Sequence, residues 1–244
     1  MKKILASAYD VNPYKGSESG TGWNFIYQIS RFNKVIAITR KNNKIHIDRF
    51  INENQINTNN IDFYYYDLPY VLRFWKKGSR GSFLYYNLWQ FFLPFYIIKN
   101  NIKFDISQHI NFHADHVPSF LWLIPKPFIW GPINHNEPIK KQFLNSSIEF
   151  FLDRLKFFLK WIRWNLDPFF YLCRYRASII IGSSNAVKER LRINSDKFIR
   201  LTTVSAQIPE ISTSEKKHKF SKNSKNFTIL SVGRLVGIKS FDIS

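Results

Sequence analysis

Disulfides, thiolate-rich metal sites and membrane-spanning segments are excluded at the outset. The 244-residue chain has one cysteine, Cys173, so it can form no internal disulfide framework and no zinc cluster built on several thiolates, which fits a reducing compartment. No uncharged apolar run reaches the roughly 20 residues that cross a bilayer. After Lys2-Lys3 only Ile4 to Ala8 are apolar or small before polar residues intervene. That run is too short for a secretory apolar region and reads as a buried first strand. Acidic residues are scarce, 17 against 36 Lys and Arg, leaving a formal net charge of +19. An excess of that size implies an anionic partner: a membrane surface, nucleic acid or a phosphorylated substrate. Nucleic acid is not expected, because the cations are dispersed and no recognisable nucleic-acid-binding motif accompanies them. There is no internal repeat.

What the chain does have is aromatic residues, 18% of the total, and a recurring pattern. Strand-like runs fall at Lys3 to Ala8, Val35 to Thr39, Ile61 to Tyr66, Phe104 to Ile110, Phe128 to Trp130 and Ser178 to Ile181. Helical spacings lie between some of them, at Thr21 to Arg31 and at Leu84 to Lys99, the latter expected to break at Pro94. Short apolar strands alternating with helices predict an α/β fold, a Rossmann-like doubly wound parallel sheet whose ligands lie at the strand carboxyl ends. Residues 1–209 form this unit, 210–226 read as a Ser-, Lys- and Asn-rich linker, and 227–244 as the first strand of a second Rossmann-like domain.

Chemistry concentrates at a few places. Lys15 to Trp23 places Gly16, Gly20 and Gly22 directly after the first strand, where a glycine loop opening a helix lets backbone amides approach a ligand. A plain turn is the competing reading. The fourth strand runs into Gln108 to His116, with His109, His113 and His116 inside eight residues. Their spacing suits neither a helical i, i+4 metal pair nor a thiolate-assisted site, so no metal is expected. A strand-end histidine that hydrogen-bonds a hydroxyl or shuttles a proton fits better, with ordinary loop histidines as the alternative. His135 and Glu137 follow the Gly131-Pro132 turn and would face the same cleft. From Ile148 to Leu166, Glu149, Asp153, Lys156, Lys160 and Arg163 form one narrow charged stripe on a helix that is nearly all aromatic and aliphatic elsewhere, apart from Arg154. Such a helix either packs under a neighbouring layer or sits in a lipid interface.

In this order, Lys15-Gly16-Ser17-Glu18-Ser19-Gly20-Thr21-Gly22-Trp23, Pro118 to Trp122, Pro127 to Ile133, Asp167-Pro168-Phe169, Ile181 to Val187 and Val232-Gly233-Arg234-Leu235 resemble segments of bacterial glycosyltransferases of family 4, also called group 1. The resemblance implies the N-terminal half of a GT-B fold, which holds the acceptor, followed by the start of a donor-binding half. It implies retaining transfer of a sugar from a nucleotide-sugar to a saccharide or lipid-linked acceptor in cell-surface polysaccharide synthesis, without cofactor or metal. By that resemblance Gly16, Ser17, Glu18 and Gly20 approach the donor, His109 (or Gln108, one position away) contacts the transferred sugar, and Arg234 and Lys239 neutralise the donor diphosphate. His113, His135 and Glu137 line the acceptor side. The sequence departs from the family in lacking glycines between Ile133 and Glu137 and in ending before the paired glutamates of the second domain. Alone, the chain is therefore expected to be inactive, and a separately encoded C-terminal half becomes a conceivable partner. A cytoplasmic location, with peripheral attachment to the inner face of the membrane, follows as an expectation. The competing class is a non-catalytic membrane-associated module that retains the acceptor half.

Overall fold

A computed structural model describes residues 1–201 apart from 79 and 145; Arg234, Lys239, the linker and the second-domain start lie outside the described residues. Seven strands form one all-parallel sheet in the order β3-β2-β1-β4-β5-β6-β7. They are β1 (Lys3–Ser7), β2 (Lys34–Thr39), β3 (Ile61–Tyr65), β4 (Ile106–His109), β5 (Phe128–Ile133), β6 (Ile179–Gly182) and β7 (Phe198–Arg200). The helices are α1 (Ser17–Ser30), α2 (Lys44–Asn54), α3 (Ser82–Lys99), α4 (Ser147–Leu166), α5 (Pro168–Arg176) and α6 (Asn185–Arg190). The expected Rossmann-like doubly wound fold is therefore present.

Strand alternation explains the two cores. Val35 and Ala37 of β2 point to one face with Ala6 of β1, packing against Trp23 and Ile26 of α1 and Ile47 of α2. Ile36 and Ile38 point to the other with Leu5, where Tyr85, Trp89 and Leu93 of α3 meet Trp130 of β5 and Phe170 of α5. Burial on both faces is why these strands read as nearly continuous apolar runs.

Four expectations need correction. The glycine segment is not a loop: α1 begins at Ser17, so Gly20 and Gly22 lie inside the helix, with Gly16 as its N-cap. Helix α3 does not break at Pro94 but continues to Lys99. A prolyl residue in a helix interior costs about 3 kcal/mol. Fully burying each of Tyr85, Trp89 and Leu93 returns about 1.5–3 kcal/mol, so packing outweighs the lost hydrogen bond. Helix α2 and strand β7 were not anticipated. α2 buries only Ile47, and β7 is a three-residue edge strand.

Candidate functional site

Chain order reverses between β1 and β4, and the loops leaving those two strands meet there. That is the crevice where doubly wound sheets bind ligands. Asn111, fully buried just past β4, holds it together: its Nδ2 donates to Asp10 O (2.8 Å) and to Glu18 O (3.0 Å). Ser19 Oγ donates to Asp10 Oδ2 at 2.5 Å. Helix α1 can come this close only because Gly22 has no side chain. A Cβ there would sit 2.4 Å from Asp10 O and 2.8 Å from Asn111 Nδ2. Gly22 is thus a packing glycine. A Cβ on exposed Gly16 would meet nothing within 4 Å, and beside it Ser17 has a φ of 58°.

Glu18 turns from the first turn of α1 towards the β4 loop. Its Oε1 accepts from His113 N at 3.2 Å and lies 3.4 Å from His113 Nδ1. Burial raises the Glu18 carboxyl above the ordinary value, against the lowering by the His113 amide. Burial also lowers His113 to about 4. His109 at the end of β4 is fully buried, with Nε2 3.1 Å from Tyr86 Oη on α3. Desolvation, reinforced by nearby His113, takes it down to about 3. Tyr86 Oη also donates to Asn111 O at 3.1 Å and accepts from Phe112 N at 3.3 Å, and burial pushes its pKa far up. Gln108, one residue earlier, points to the opposite face, where its Nε2 donates to Gly131 O at 3.1 Å. Strand alternation therefore separates the two candidates, and only His109 joins the Glu18 cluster.

Three buried polar atoms of this cluster have no hydrogen-bond partner among the described residues: Glu18 Oε2, His109 Nδ1 and His113 Nε2. Buried groups of this kind are few in folded proteins and each calls for an explanation. With pKa values of about 3 and 4, both imidazoles are neutral at pH 7. They suit hydrogen bonding to hydroxyls better than proton abstraction.

His135 and Glu137 go elsewhere. His135 Nδ1 lies 2.5 Å from Asp115 Oδ2, and Trp164 of α4 donates its Nε1 to Asp115 O at 3.2 Å. Asp115 did not stand out in the sequence, because only tertiary pairing across the β4 and β5 loops brings it to His135. The two loops are joined by an Ala114–Asn134 bridge. Glu137 is exposed and lines a cleft of about 490 Å³ between the β5 loop and α4, with His116, Asp153, Lys156, Lys160 and Arg163. A larger depression, about 600 Å³, lies beside Lys3 and Asp105 at the amino ends of β1 and β4, away from the crevice. Among the described residues no group of three or more His, Cys, Asp or Glu is arranged to hold a metal ion. No protein-family profile matches the chain, and no curated protein matches it at a significant level.

Proposed function

We propose that this chain is the acceptor-side half of a retaining glycosyltransferase that moves a sugar from a nucleotide-sugar to a saccharide or lipid-linked acceptor. The observation that carries the reading is the gathering of Glu18, His109 and His113, each with an unpartnered buried polar atom, at the crevice between β1 and β4. A polyhydroxylated ligand is the chemical class that such a set serves: one carboxyl and two neutral imidazoles, all able to bond to hydroxyls. In this reading His109 and His113 orient the transferred sugar, and Glu18 holds the His113 loop and a sugar hydroxyl. Arg234 and Lys239, outside the described residues, would meet the charge that builds on the departing diphosphate.

The test is incubation of the full chain with labelled nucleotide-sugars and a lipid extract of its host membranes, alongside NMR of the histidine side chains. The expected result is that a nucleotide-sugar or saccharide shifts the His109 and His113 resonances, and that Glu18→Gln weakens that effect. Any transfer activity should fall roughly 10- to 100-fold in His109→Ala, the loss of one or two well-placed hydrogen bonds. Histidine resonances indifferent to every nucleotide-sugar and saccharide would overturn the reading. Binding without transfer, even with a C-terminal half supplied, would identify a saccharide-binding module instead.

A further inference from the structure

Helix α4 presents the wrong face to solvent for an ordinary surface helix. Part of its charged stripe turns inward: Asp153, Lys160 and Arg163 are half-buried along the cleft that also holds His116 and Glu137, while Glu149 and Lys156 stay exposed. Its apolar positions turn outward. Ile148, Phe151, Leu155 and Phe158 recur at steps of three and four and are 41–72% exposed. Of the twenty residues of α4 only Trp164 is buried. Helix α5, packed against α4, adds exposed Tyr171 and Tyr175 beside Arg174 and Arg176.

We infer that the outward face of α4, extended by α5, docks on an anionic lipid bilayer. Charge selects this occupant over the alternatives. A second copy would bring another +19. The chain's own segment 202–244 carries seven Lys and Arg against three Asp and Glu, so it too has the wrong sign. The partner must be negative, yet must also accept a stripe of Phe, Leu and Ile bordered by exposed Lys156. An anionic bilayer offers both: headgroups for the cations, and an acyl boundary for an apolar face that runs about 15 Å from Ile148 to Phe158 at 1.5 Å per residue. Exposed tyrosines suit the same depth, with ring in the interface and hydroxyl in water. Among the described residues no helix is long and apolar enough to cross the membrane, so the attachment is superficial. This inference does not depend on the transferase reading.

The experiment is flotation of the full chain with vesicles of phosphatidylcholine alone and of phosphatidylcholine doped with phosphatidylglycerol, free of any saccharide. Binding to the doped vesicles should exceed binding to neutral ones at least tenfold and weaken with added salt. The double variant Leu155→Ser, Phe158→Ser should lose at least tenfold in binding while keeping its melting temperature and circular dichroism. The double variant Ile45→Ser, Phe32→Ser, at exposed positions on α2 and just past α1, should bind as the parent does. Two results overturn the inference: equal binding by the α4 variant and the parent, or a homodimer in solution that the α4 variant dissolves.

Discussion

Glu18, His109 and His113 make this molecule sensitive to acid in a direction that can be worked out group by group. His109 and His113 have folded pKa values of about 3 and 4, below the 6.5 of an unfolded histidine. Between those limits the unfolded chain binds protons that the folded chain refuses, so stability is full above pH 6.5 and falls with acidification. Each histidine contributes a slope of about 1.4 kcal/mol per pH unit while it is charged only in the unfolded chain. Glu18 acts in the opposite sense, because its raised pKa makes the folded state the better proton binder just above the ordinary carboxyl range. The two imidazoles outnumber it. Urea midpoints should therefore drop between pH 7 and pH 5, and His109→Gln should flatten that slope even though it removes the Tyr86 contact. A second residue-scale outcome concerns Gly22. Alanine there would place a methyl 2.4 Å from a backbone oxygen, an overpacking of about 1–3 kcal/mol visible in the same denaturation curves. Gly16→Ala, which meets open space, should leave stability within about 0.5 kcal/mol. In the sequence the glycines looked alike. Only the approach of Asp10 and Asn111 distinguishes the one that packs.

At the scale of elements, what could be read in advance depended on how many faces a segment buries. Strands β1, β2 and β4 are covered on both sides, so their apolar runs announce them. Helix α2 presents charged residues on most sides, with Lys44 paired to Asp48 and Arg49 to Glu53, and therefore reads as loop. Helix α4 shows a subtler limit. Periodicity reveals that a helix has two faces, but which face turns inward is decided by what the rest of the chain offers. Here the backbone after β5 offers polar partners: Asp153 Oδ2 accepts from Ile139 N at 3.1 Å, and Arg154 Nη2, beside the stripe, donates to Ile139 O at 2.9 Å. The buried apolar anchor is Trp164, with half-buried Phe157 beside it; Trp164 packs on His135 at 5.5 Å between ring centres and lies under the Arg190 guanidinium at 3.9 Å. Trp164→Ala should then cost about 3–5 kcal/mol, as removal of a buried aromatic does. Phe158→Ser, on the outward face, should stay within about 0.5 kcal/mol. Thermal melts of the two variants would separate them. Equal losses would mean that the outward face is packed after all.

Across the whole molecule, stability should be graded from the centre of the sheet outward. β1 and β4 lie in the middle, share the crevice, and carry the residues with least exposure, Leu5, Ala6, Ser107 and His109 among them. β7 is three residues long at one edge, with Ile199 48% exposed, and β3 closes the other edge with alternate residues open to solvent. Parallel sheets pair residues distant in sequence, as Asp105 N does when it donates to Lys3 O at 2.8 Å, so the central pairings form only when most of the chain is already collapsed. Local openings then cost least at the edges and approach the global unfolding free energy at the centre. The expected order of amide exchange is β7 first, β3 next, and β1 with β4 last. The order matters for function because His109 ends β4, and Glu18 and His113 lie on the segments that leave β1 and β4, so the polar cluster is anchored at the centre of the sheet. The apolar face of α4 belongs to a layer that touches the sheet chiefly through Trp164 and α5. If β1 and β4 exchanged as fast as β7, the crevice would not be preorganised, and a ligand would have to order the site it binds.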